Sequence, residues 1–298
     1  SVTVPGAYTT EGSKRVRAFL RDLGTIRTAA ALRAAFGSEP PDLGAELLAL
    51  YQQDYVKAWT AFLSDIDVRS DLDPVAAQAF LERASGETSP MLGVLREASK
   101  NTDFGTDGGE LRPVTEAFEP VHEFFRAPGK GAFRRIKGKL DPDKAPAKEY
   151  VALLGVLKGG FAAVAQTRDP SGAKEVLDIE GWVQTRLPGG DPVTDELARF
   201  LRVPVHVVKG TVRQGRGKGV STAWSSVVSD FQQNLAGRYP VEGGGSDAAL
   251  ADFEAFFGPN GTFWTFYREN LAKAISEDGS EVLDPSVPIA PELKTCLA

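Results

Sequence analysis

Residues 224–275 read WSSVVSDFQQNLAGRYPVEGGGSDAALADFEAFFGPNGTFWTFYRENLAKAI, and their punctuation decides the fold class. Trp224, Val227, Val228, Phe231 and Leu235 recur at three- and four-residue steps, which is one face of an α-helix. Gly237 follows where a left-handed C-cap belongs. Ser246 or Asp247 stands at the N-cap of a second helix whose face is Leu250, Phe253, Phe256 and Phe257. Gly258-Pro259-Asn260-Gly261 stops it, and Phe263, Tyr267, Leu271 and Ile275 form a third helical face. These are packing and turn residues.

The same punctuation runs through the rest of the chain. Residues 1–12 are an irregular lead-in broken by Pro5, Gly6 and Gly12, and 13–36 are mostly helix-spaced. After Pro40-Pro41, with Asp42 as N-cap, Leu47, Leu48, Tyr51, Tyr55, Trp59, Phe62 and Leu63 make a broad apolar and aromatic face that belongs in a core. Asp73-Pro74 and Ser89-Pro90 place a capping residue before a first-turn proline and open two short helices. Pro113 begins another, with Phe118, Val121, His122 and Phe125 on one side.

Residues 126–144 differ in character, carrying Arg126, Lys130, Arg134, Arg135, Lys137, Lys139 and Lys144 among glycines and prolines, as an exposed basic loop would. Residues 148–166 are helical through Tyr150, Leu154, Leu157 and Phe161, closed by Asp169-Pro170. Residues 174–187 fit a helix better than a strand. Asp191-Pro192 opens a helix interrupted at Pro204, where a further short helix starts. No repeat or hairpin signal appears. The expected fold is all-α: an elongated multi-helix bundle with long loops, divided at 1–125, 126–204 and 205–298.

Composition narrows the function. With 42% hydrophobic and 25% charged residues in 298, the chain is a folded one. Its 34 basic and 40 acidic residues give a net charge of −6, against general nucleic-acid binding. Cys296 is the single cysteine, so neither an internal disulfide nor a multi-cysteine zinc site forms. No run approaches the ~18 apolar residues of a spanning helix. The absence of an initiator Met and the abrupt end suggest a piece of a longer protein.

Chemistry-bearing patterns do not develop. His122 and His206 lie in different segments, so a histidine-rich metal site is excluded, and Asp103, Asp107 and Glu110 miss the spacing of a calcium loop. No Gly-x-Ser-x-Gly element occurs, and Gly244-Gly245-Ser246 is better explained as a cap. Gly215-Arg216-Gly217-Lys218-Gly219-Val220-Ser221 lacks the spacing of a phosphate loop and reads as a flexible basic loop. No catalytic, cofactor or metal-binding residue is assigned.

Five separated motifs carry a family resemblance. The run Tyr51-Gln52-Gln53-Asp54-Tyr55-Val56-Lys57-Ala58-Trp59, followed by Phe62-Leu63, is similar to the Y-x-x-D-Y-x-x-x-W-x-x-F-L segment of the IcmF/TssM family. The start Val4-Pro5-Gly6-Ala7-Tyr8-Thr9-Thr10-Glu11-Gly12, Ser89-Pro90 with the helix at 118–125, Arg238-Tyr239-Pro240, and Phe257-Gly258-Pro259-Asn260-Gly261 follow in that family's order. Val241 replaces the family's usual aromatic after Arg-Tyr-Pro, and the Trp-Val pair usual near 25–33 is missing, which points to a divergent subfamily.

The resemblance implies a non-enzymatic scaffold and assembly interface in the membrane complex of the type VI secretion system. It implies the periplasmic part of an inner-membrane protein. Its implied partners are the outer-membrane lipoprotein TssJ (mainly through parts beyond this chain), the inner-membrane TssL and other TssM copies. Tyr51, Asp54, Tyr55, Trp59, Arg238, Tyr239, Pro240, Gly258, Pro259 and Gly261 are then structural motif residues. Arg238 and Tyr239 are expected to cap carbonyls at the end of the Trp224 helix. The rival readings are a periplasmic cell-wall or glycan-processing enzyme and a cytoplasmic helical adaptor.

Overall fold

A computed structural model describes residues 3–27, 43–86, 88–105, 109–126, 145–167, 169–241, 243, 246–272 and 274–275. The described chain is helical, with no strand among the described residues and an isolated bridge between Tyr239 and Asp247. It divides into two compact units. Unit 1 comprises 1–70, 74–165 and 169–209, and unit 2 comprises 71–73, 166–168 and 210–298.

Unit 1 holds α1 (Thr10–Arg27), α2 (Leu43–Ser64), α3 (Pro74–Ala84), α4 (Pro90–Thr102), α5 (Arg112–Ala117), α6 (Glu119–Phe125), α7 (Pro146–Val164), α8 (Lys174–Arg186) and α9 (Pro192–Leu201). The aromatic run of α2 is core as its period demands: Tyr55, Trp59 and Leu63 are buried. On α7, Tyr150, Leu154, Leu157, Phe161 and Val164 form one buried stripe. The 174–187 stretch resolves into helix α8, which buries Val176, Ile179 and Val183. Asp191 caps α9, accepting from the Thr194 backbone N–H at 2.9 Å, with Pro192 in the first turn where its missing donor costs nothing.

Several local expectations change. Ser89 precedes Pro90 as predicted, yet its side chain makes no capping bond. Asp169-Pro170 opens a short 3₁₀ turn, Pro170–Gly172, with the Asp169 carboxylate accepting from Ser171 N–H at 2.9 Å. The third correction is larger. The run from Val203 belongs to one 32-residue helix, α10 (Val203–Asn234), which absorbs both the "basic loop" at 215–221 and the helix expected to begin at Trp224. Each interior glycine costs a helix about 1 kcal/mol. Burial of Val212, Val220 and Val227 along one stripe spans the glycine-rich stretch and holds it in the helix.

In unit 2, the part of α10 from Gly210 onward is followed by α11 (Leu250–Phe257), α12 (Thr262–Phe266) and a π turn, Tyr267–Leu271. Their shared core gathers Val220, Val227, Leu235, Phe256, Phe266, Leu271, Ala274 and Ile275. Ala249 takes the N-cap of α11, without a side-chain bond. Neither Ser246 nor Asp247 caps it. Both belong instead to a backbone pairing with Tyr239, whose N–H donates to Ser246 O at 3.0 Å while its carbonyl accepts from Ala248 N–H at 2.8 Å.

Candidate functional site

The motif on α2 and the motif at the start of the chain are two halves of one contact. Residues Gly6–Tyr8 form a 3₁₀ turn laid against α2, where Tyr8 stacks on Tyr51 at 5.7 Å between ring centres. Tyr51 Oη donates to Ala7 O at 2.5 Å and Trp59 Nε1 donates to Tyr8 O at 2.7 Å. Tyr55, fully buried, donates to Asn101 O at 2.5 Å, and the Asn101 side-chain oxygen accepts from Thr10 N–H at 3.2 Å. Four residues per helical step place Tyr51, Tyr55 and Trp59 on one side of α2, so all three reach the same strap.

Burial pushes the Tyr51 phenol up to about 12 and raises Tyr55 further, so both stay protonated donors at any physiological pH. Asp54 takes no part. Its side chain is exposed, with Lys57 3.8 Å away. Tyr8 and Asn101 complete the clamp. Tyr8 was visible within its motif, while Asn101 had no sequence signal.

The second group lies in unit 2. Gly237 adopts φ +71° and ends α10, and the peptide between Tyr239 and Pro240 is cis. Arg238 does not cap the preceding helix with its guanidinium: Nη1 sits 3.6 Å from Asp252 Oδ2 on α11, both half-exposed. The Tyr239 ring is 63% exposed, so the expected capping role is replaced by the backbone pairing described above. At Gly258 a side chain would strike Glu254 O, and at Gly261 a Cβ would stand 2.5 Å from Phe256 O. Pro259 O accepts from Arg268 Nη1 at 2.6 Å, fastening this turn to the helix that follows it.

Unit 1 also contains an open cleft of about 380 Å³ lined by Pro120, Phe124, Pro146, Trp182, Arg186, Pro188 and neighbouring residues. Arg186 Nη2 donates to Glu149 Oε2 at 2.6 Å, and Trp182 Nε1 donates to the same oxygen at 3.1 Å. The lining carboxylates are Glu123 and Asp191, and both Asp191 oxygens are engaged by Thr194. Two free, facing carboxylates, as glycan hydrolysis requires, are not assembled here. Among the described residues no three His, Cys, Asp or Glu side chains converge as a metal site would need. Asp103 accepts from Gly105 N–H at 2.8 Å, as a turn residue does. Asp107, the basic run 127–144 and Cys296 lie outside the described residues.

Residues 1–103 match the IcmF-related family, described as intracellular multiplication and human macrophage-killing, and residues 217–290 match the type VI secretion protein IcmF helical domain. A Pseudomonas aeruginosa protein described as type VI secretion system component TssM1 is 26% identical over 275 residues, covering 80% of this chain. The chain belongs to the IcmF/TssM family. It spans 25% of the length of that relative. A solved type VI secretion system membrane core complex has the same fold, with TM-score 0.54 at 16% identity over 100% of this chain and 61% of that one. The two IcmF matches contain the two groups above: the clamp lies within the first, and the Arg238–Pro240 and Gly258–Gly261 turns within the second. No described helix is long and apolar enough to cross a membrane.

Proposed function

We propose that this chain is a non-enzymatic structural segment of a type VI secretion trans-envelope membrane complex, serving as scaffold and assembly interface on the periplasmic side. The observation that carries the reading is the use made of the motif residues. Tyr51, Tyr55 and Trp59 each direct their side-chain donor onto a main-chain oxygen of the same chain, leaving no side-chain N–H or O–H among them to meet a substrate. Gly258 and Gly261 are explained by close backbone approach, again without a ligand. Partners of the whole protein, on this reading, are the lipoprotein TssJ, TssL and further copies of the family member itself.

The test uses the full-length protein in its native membrane. Tyr51→Ala with Trp59→Ala should reduce recovery of the detergent-solubilised complex while membrane levels of the protein stay within twofold. Undiminished recovery would overturn the scaffold reading. Release of soluble fragments from purified cell wall by the wild-type chain would favour the enzyme instead.

A further inference from the structure

Unit 1 buries a histidine that the clamp does not use. His122 on α6 is 3% exposed. Its Nε2 lies 2.9 Å from Thr102 Oγ1 at the end of α4, and that hydroxyl donates to Ala98 O at 2.8 Å. A hydroxyl has one proton to give, so Nε2 carries the ring hydrogen and Nδ1 presents a bare lone pair. Nδ1 is buried and has no hydrogen-bond partner. Glu119 Oε2 stands 3.6 Å away, and the other oxygen of that carboxylate accepts from Arg126 Nη1 at 2.7 Å. The charged groups acting on the ring are therefore Glu119 and Arg126 from the α6 segment and Asp103 from the end of α4.

We propose that His122 is an acid-triggered release for the contact between α4 and α6: neutral, its ring wedges the two helices together, and protonated, it leaves the interior and lets them part. A full charge at this depth loses its hydration, and the nearest carboxylate oxygen, Glu119 Oε2 at 3.6 Å from Nδ1, stands beyond hydrogen-bond reach. Burial outweighs the pull of Asp103 and Glu119 and lowers the ring below its ordinary 6.5. The unfolded ring therefore takes up its proton first. Stability from this site is complete above pH 6.5 and is lost progressively as the pH falls below it. The release adjoins the clamp, because Thr102 follows Asn101, whose carbonyl takes the Tyr55 hydroxyl and whose side chain holds Thr10.

Three measurements decide it. In a His206→Gln background, which leaves one histidine, the NMR titration of His122 should fall below 6.5, and a midpoint at or above that value overturns the proposal. Amide exchange at the α4 end and through α6, corrected for intrinsic rate, should accelerate more than tenfold between pH 7 and pH 5, and unchanged protection overturns it. Over the same interval the wild-type Tm should drop at least about 3 °C further than that of His122→Gln, and parallel curves overturn it. If His122→Gln does not fold, the titration and exchange of the histidine-containing chain still decide.

Discussion

Arg199 on α9 donates through Nη2 to the carbonyl oxygen of Leu63, at 2.6 Å, in the last turn of α2. The same nitrogen reaches Ser64 O at 3.0 Å, and Glu196 Oε2 holds Nε at 2.6 Å. Terminal carbonyls of a helix have no partner within it, so a guanidinium from a packed neighbour both satisfies them and fixes the crossing of the two helices. Arg199→Ala should lower unfolding free energy by about 1–3 kcal/mol. Arg199→Lys should recover less than half of that, since one ammonium cannot span the fork. Urea denaturation midpoints for the pair check both statements.

Tyr55 and Tyr51 make the same kind of bond at different depths. Tyr55→Phe strands a buried carbonyl and should cost about 1–3 kcal/mol, whereas Tyr51→Phe, beside solvent, should cost under about 1 kcal/mol. Equal losses in thermal unfolding would contradict the burial difference.

Two glycines predict opposite signs. Gly261→Ala drives a Cβ against the main chain of α11 and should destabilise by roughly 2 kcal/mol or more. Gly219→Ala lies in α10 with open space around it and should stabilise by roughly 0.5–1 kcal/mol. A calorimetric comparison of the two Tm values reads the difference directly.

The pair Arg186–Glu149 is about six-sevenths buried on both sides, with the guanidinium 5.4 Å over the Trp182 ring. Arg186→Ala leaves the carboxylate with one indole donor and should cost roughly 3 kcal/mol. The loss should persist in 1 M salt, where exposed pairs such as Lys174–Asp178 are screened. A penalty that vanished with salt would place the pair in water.

Helix existence was legible and the core faces largely so, because a period of 3.6 is a local property: Tyr55, Trp59, Tyr150 and Leu197 fell where the pattern put them, whereas Leu47 and Leu250, placed on the same faces by spacing, are exposed. The unity of α10 was not. Glycine counts alone break a helix on paper, and only tertiary burial of Val212 and Val220 overrides them. Asp191 was readable as a cap because its partner lies three residues on, while Arg199 was not, because its partners lie about 135 positions away. The same distance effect hid the clamp. Both of its motifs were recognisable, but nothing within either says that they touch.

The clamp's three ring-borne donors end on main-chain oxygens, those of Ala7, Tyr8 and Asn101. Such a grip senses where a residue is and is blind to which residue it is. Position 7 can therefore drift through almost any side chain without loosening its bond to Tyr51, whereas a one-residue insertion between 7 and 10 puts the Ala7 and Tyr8 carbonyls out of step with Thr10, which is tied to Asn101. Variation at position 7 should be free in identity, and the strap should be fixed in length.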